Sequence, residues 1–99
     1  MAAASRLGDL STGHACFPPT SCNSTPASKT FINGLLAQCQ GSRFLQHRCG
    51  RTTHLASVRN TIGGSSKVFI EGQSAIRVGD DIACGDTSGQ GSPNVLIGG

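Results

Sequence analysis

The chain has no tryptophan, no tyrosine and four phenylalanines, so it lacks most of the large aromatic side chains that dominate the burial of a small core. Only 13% of its residues are charged, and Glu71 is its single glutamate. Without an H-E-x-x-H run it has none of the pattern of a zinc hydrolase. No stretch approaches the roughly 20 apolar residues of a membrane-spanning helix. The opening "MAAASRLGDL" has neither the basic segment nor the apolar stretch of a secretory signal, so the expectation is a protein made as a soluble cytoplasmic chain. A 3.6-residue apolar period is almost absent. Three of the four prolines fall in "CFPPTSCNSTPAS", residues 16–28, which excludes a helix there and predicts an ordered irregular loop.

What the chain does contain is glycine, serine and threonine, together a third of its 99 residues. A single small domain is expected, spanning 1–99 with no fused effector. Buried apolar area, at roughly 25 cal/mol per Å², barely offsets about 1.5 kcal/mol of ordering entropy per residue in such a chain, so a staple is needed. The cysteines, Cys16, Cys22, Cys39, Cys49 and Cys84, are odd in number and follow no secretory signal, which argues against a disulfide framework. The net charge of +3 is mild. Arg43, Arg48, Arg51 and Arg59 cluster around two histidines, but no aromatic residues alternate with them. They read as a solvated surface with some hydrogen bonding rather than a nucleic-acid site.

Internal repetition organises the chain. "SKTFINGLLAQ" (28–38) and "SKVFIEGQSAI" (66–76) match in register, and "PNVLIGG" (93–99) repeats their first half. Each is a short strand signal ending in a turn, which predicts hairpins at Asn33-Gly34 and Glu71-Gly72. A second unit interleaves with the first. "RLGDLSTGH" (6–14), "CQGSRFLQH" (39–47) and "RVGDDIACG" (77–85) align Gly8, Gly41 and Gly79, and bring His14, His47 and Cys84 to corresponding loop positions. Three copies of strand, turn, strand and ligand loop predict a pseudo-threefold, all-β object whose loops converge near one axis.

His54, in the extended middle loop, completes a set of three imidazoles and one thiol with His14, His47 and Cys84. Such a tetrahedral N/S set suits a structural Zn²⁺, one per chain, with no open position for water. Cys16 and Cys49 each stand two residues after a histidine and could replace an assigned ligand; otherwise they read as small buried apolar side chains.

"RLGDLSTGHACFPP", "KVFIEGQSAIRVGD", "IACGDTSGQGSPNVLIGG" and the central His-rich loop together resemble the PAAR-domain family, the pointed spike tips of contractile phage tails and type VI secretion machines. The resemblance covers essentially the whole chain. It implies a cone of short β-hairpins stapled by zinc near its apex, through the residues that match the family's ligands: His14, His47, His54 and Cys84. It also implies a base that docks on a trimeric β-helical spike, one tip per trimer, and a non-enzymatic, membrane-piercing role. The first repeat departs from the family: its Arg and the Asp of its Gly-Asp pair are lost to Gln38-Cys39-Gln40 and Ser42.

Placed on such a cone, Phe31, Ile32, Phe69, Ile70, Leu96 and Ile97 lie towards the wide end. One of each adjacent pair points inward, because successive strand residues face opposite sides, and the other is available for docking. The implied location is the tip of a phage tail or secretion apparatus, in transient contact with a target membrane, with no nucleic-acid or small-molecule partner. The alternative, a zinc-stabilised module that binds protein or nucleic acid, lacks the closely spaced Cys pair and the helix of a zinc finger.

Overall fold

A computed structural model describes all 99 residues and is all-β apart from one turn of 3-10 helix at Ala56–Val58. In chain order the strands are β1 (Ala2–Ala3), β2 (Cys22–Ser24), β3 (Phe31–Ile32), β4 (Leu35–Leu36), β5 (Arg43–Phe44), β6 (His47–Cys49), β7 (Thr52–His54), β8 (Phe69–Ile70), β9 (Gln73–Ser74) and β10 (Leu96–Ile97). They pair into five two-stranded antiparallel sheets. Isolated hairpins of this size are marginal in water, so the fold depends on how they are tied together. Of 47 backbone hydrogen bonds, 34 lie outside the strands, in turns and loops.

The expected hairpins form. β3–β4 turns through Asn33 (φ 54°) and Gly34 (φ 80°), and β8–β9 through Glu71 (φ 50°) and Gly72 (φ 87°). Two consecutive positive φ values make the turn whose twist matches that of the flanking strands. The third hairpin is built from both ends of the sequence: β10 pairs with β1, Leu96 opposite Ala3 and Ile97 opposite Ala2. Corresponding hydrogen bonds close all three, from Ala37 N to Thr30 O, Ala75 N to Val68 O and Ala4 N to Val95 O, each 2.9 Å long.

Beyond the hairpins, a ring of backbone bonds encircles the pseudo-threefold axis. Ser5 N donates to Ile76 O (3.0 Å), Ile76 N to Gln38 O (3.2 Å) and Gln38 N to Ser5 O (2.9 Å). Ile32, Ile70 and Ile97 pack with Ala4, Ala37 and Ala75 in one apolar cluster. Ala4, Ala37 and Ala75 hold corresponding positions in the three repeats and are fully buried. Cys22, Phe44 and Ile82 form a second, smaller cluster, flanked by Leu7 and Cys84. The molecule measures 38 × 23 × 23 Å, elongated with two equal short axes.

Each repeat then turns through its aligned glycine: Gly8, Gly41 and Gly79 have φ of 92°, 98° and 97°, a conformation costly for any residue with a Cβ. Asp9 and Asp80 accept the backbone amides of Arg6 and Arg77 and pair with their guanidinium groups. In the divergent copy Ser42 Oγ accepts the amide of Cys39 at 3.1 Å. The ion pair is lost there, but the turn contact survives. Within residues 16–28, expected to be wholly irregular, Cys22–Ser24 forms β2 and pairs with β5 across a register shift.

Candidate metal centre

The donor atoms of His14, His47, His54 and Cys84 lie within 4.8 Å of one another. The structure thus gathers the whole set expected from the repeats. His47 and His54 sit opposite each other on β6 and β7, a hairpin turning at Gly50 (φ 60°), where the sequence suggests an extended loop. His14 opens a tight turn closed by hydrogen bonds between its backbone and that of Phe17, with Ala15 at φ 50°. Gly13 permits that turn: a Cβ there would lie 2.7 Å from Phe17 O. The Phe17 ring packs against all three imidazoles, at centroid distances of 4.9, 4.6 and 4.0 Å for His14, His47 and His54, and shields them from solvent on one side.

The electrostatics suit ligation. His47 Nδ1 lies 3.0 Å from the Pro18 carbonyl and 2.9 Å from Arg59 Nη1; the tautomer that donates from Nδ1 to Pro18 leaves Nε2 as the acceptor, the form in which an imidazole binds a metal. Burial holds the His47 pKa below its ordinary value, against the raising effect of the Pro18 bond and helped by the charge of Arg59; the ring is therefore neutral at neutral pH. Its Nε2 is 3.0 Å from His54 Nδ1 and 3.9 Å from Cys84 Sγ. His14 Nδ1 is buried without a hydrogen-bond partner, an arrangement costly for a polar atom unless another ligand satisfies it. A tetrahedron with ordinary metal–N and metal–S bonds has edges of about 3.3–3.6 Å, against separations here of no more than 4.8 Å. The residues fit a bound metal ion, which would cross-link the His14 turn, the β6–β7 hairpin and the Cys84 loop.

Three features here escape the sequence reading. Arg59, expected on a solvated surface with Arg43, Arg48 and Arg51, is fully buried, whereas those three are exposed. Its Nη1 approaches His47 Nε2 (2.7 Å), Cys84 Sγ (3.4 Å) and Asp86 Oδ2 (3.3 Å), and its Nη2 donates to Ser11 and Thr20 hydroxyls. Asp86 is also buried. Burial raises its pKa, but hydrogen bonds from Ser11, the Thr87 amide and Thr12, with the charge of Arg59, outweigh this and hold it below the ordinary carboxylate value. Cys16 and Cys49 are neither ligands nor small buried apolar groups: Cys16 is exposed, Cys49 half-buried, and the two are joined as a disulfide. The chain's best clue to these roles was proximity: Cys16 and Cys49 follow the candidate ligands His14 and His47 by two residues, and Asp86 follows Cys84 by two.

No curated protein matches the chain. The family described as PAAR motif matches residues 12–90, a span that contains all four ligand candidates, Arg59, Asp86 and the disulfide. With most of its length matched and the four candidate ligands gathered in one place, the chain belongs to the PAAR-motif family.

Proposed function

We propose that this protein is the tip of a contractile injection spike, a structural piece that caps a trimeric β-helical spike and concentrates its force on a target membrane. The family's association with spike tips supports a mechanical rather than catalytic role. The observation that carries the reading is the repetition of one apolar side chain on three equivalent hairpins. Phe31, Phe69 and Leu96 are 61%, 59% and 53% exposed, while their neighbours Ile32, Ile70 and Ile97 are buried. Three outward apolar groups about a pseudo-threefold axis complement a true threefold partner; of the six residues expected at the base, the three isoleucines serve the core and the other three are left for docking. Isolated exposed apolar residues are ordinary, but a symmetric set of large ones marks an interaction face.

The metal in this reading is Zn²⁺. His14, His47, His54 and Cys84 would hold it as three imidazoles and one thiolate, a protein-filled donor set of the kind that serves structural zinc. Structural zinc contributes an apparent ~10–16 kcal/mol in small peptides, as much as the ~5–15 kcal/mol net stability of a whole domain. A tip with so small an apolar core would withstand load because the metal cross-links the His14 turn, the β6–β7 hairpin and the Cys84 loop.

Native mass spectrometry of the protein mixed with the trimeric β-helical spike protein of the same genome tests the docking. One tip per trimer is expected, and a Phe31→Asp/Phe69→Asp/Leu96→Asp variant should keep its metal and lose the trimer. Another ratio, or undiminished binding by the variant, would refute it.

A further inference from the structure

Cys16 and Cys49 stand at the same offset, two residues, from two of the metal-binding histidines, His14 and His47. Their Cα atoms are 5.3 Å apart, well inside the range of about 4.4–6.8 Å that a disulfide spans without backbone movement. Cys16 is exposed and Cys49 half-buried, so small thiols and disulfides have access to the bridge. The free cysteines compete poorly: Cys22 and Cys39 are buried, and Cys84 belongs to the metal-binding group. The bridge joins the His14 turn to the end of β6. Those same two segments are tied a second time by the metal site, through His14 on one and His47 and His54 on the other. Moving the His14 turn away from the β6–β7 hairpin would take one imidazole from the other two and so loosen the hold on a metal ion. The disulfide opposes that movement from a point two residues away.

We propose that Cys16 and Cys49 form a redox-reversible latch on the metal centre, which traps the metal when oxidised and lets it exchange when reduced. The latch rests on the metal reading above. It closes by thiol–disulfide exchange with a low-molecular-weight disulfide such as oxidised glutathione. The exposed Cys16 thiolate attacks one glutathione sulfur and expels the first glutathione thiolate; Cys49 thiolate then attacks Cys16 Sγ in the mixed disulfide and expels the second. Two protein thiols become one disulfide, one oxidised glutathione becomes two molecules of glutathione, and the two protons lost by the protein are taken up by the expelled thiolates. Excess thiol reverses the sequence. Cys84 takes no part, being held in the metal group. A tip assembled in a reducing compartment is thus locked when it enters an oxidising one.

The test is the rate at which zinc passes from the loaded full chain to excess 4-(2-pyridylazo)resorcinol, read by absorbance, after equilibration with oxidised or with reduced glutathione. Release from the oxidised protein should be about tenfold slower or more, because the tethered His14 stays at high effective concentration beside the metal. The Cys16→Ser/Cys49→Ser variant should load one zinc per chain and release it at the fast rate under both conditions. One zinc per chain with equal rates in the two redox states overturns the latch alone. Failure of the double variant to load zinc, or peptide mapping that finds Cys16 and Cys49 unlinked after oxidation, also overturns it. Absence of zinc in both states of the natural sequence overturns the latch and the metal reading together.

Discussion

Nη1 of Arg59 donates to Sγ of Cys84 at 3.4 Å, which puts a fully buried guanidinium in contact with the candidate metal-binding group. Its charge is balanced by Asp86, also buried, 3.3 Å away. The same guanidinium carbon stands 5.8 Å from the centre of the Phe44 ring, so Arg59 links the second apolar cluster to the metal site.

Arg59→Met should therefore leave the Asp86 carboxylate buried and unpaired, and should lower unfolding stability by about 3–5 kcal/mol. Chemical denaturation with metal in excess measures this. The paired change Arg59→Met/Asp86→Leu should recover much of the loss, whereas a purely additive pair would show that the two residues act independently.

A smaller perturbation reaches His14. In Gly13→Ala the new Cβ would stand 2.7 Å from Phe17 O at a φ of 79°, and a non-glycine residue in that conformation costs about 1–3 kcal/mol. Competition with a zinc-binding dye should reveal affinity weakened about tenfold or more, 1.4 kcal/mol being a factor of ten. Unchanged affinity would mean that the His14 turn does not position its ligand.

Glu71 carries the pH dependence of the hairpin end. Its carboxylate accepts the amides of Lys29 and Ser28 and the Thr30 hydroxyl, and these bonds hold its pKa below the ordinary 4.5. The folded state thus binds fewer protons than the unfolded state just below that value, so the stabilisation is complete above about 4.5 and is lost as pH falls through the folded pKa. The gap in melting temperature between the natural sequence and Glu71→Gln should be constant near neutrality and close below pH 4.5. A gap that persists unchanged into acid would contradict this.

The third hairpin offers a covalent test of the pseudo-symmetry. Gly98 and Gly99 follow β10 as Asn33-Gly34 follow β3, Gly99 has φ 79° against 80° at Gly34, and β1 begins at Ala2. Joining Gly99 directly to Ala2 in a chain without Met1 would create a two-residue turn in the same register. The cyclic protein should keep its metal and gain up to ~4.7 kcal/mol, the chain-entropy figure for closing a loop of about 100 residues. A loss of stability on closure would show that the three hairpins are not equivalent.

That third hairpin also marks a limit of what the sequence discloses. "PNVLIGG" reads as half a repeat because its partner strand, Ala2–Ala3, lies at the other end of the chain and is two alanines without strand character. Positions fixed by local backbone need were legible: Gly8, Gly41 and Gly79 align in the sequence and share one positive φ. So was the gathering of His14, His47, His54 and Cys84, since loops on a common axis must converge. Arg59 was not, because its burial depends on hydroxyls and a carboxylate from Ser11, Thr20 and Asp86, residues that meet only after the repeats close. The Cys16–Cys49 pairing was hidden for the same reason.

Metal content measures the central claim most directly. Native mass spectrometry of the purified protein, with elemental analysis of the same sample, should find one zinc ion per chain. Cys84→Ala should lose the metal and unfold, while Cys22→Ala, which changes a buried thiol outside the ligand set, should lose neither. A folded natural protein with no bound metal would contradict the account.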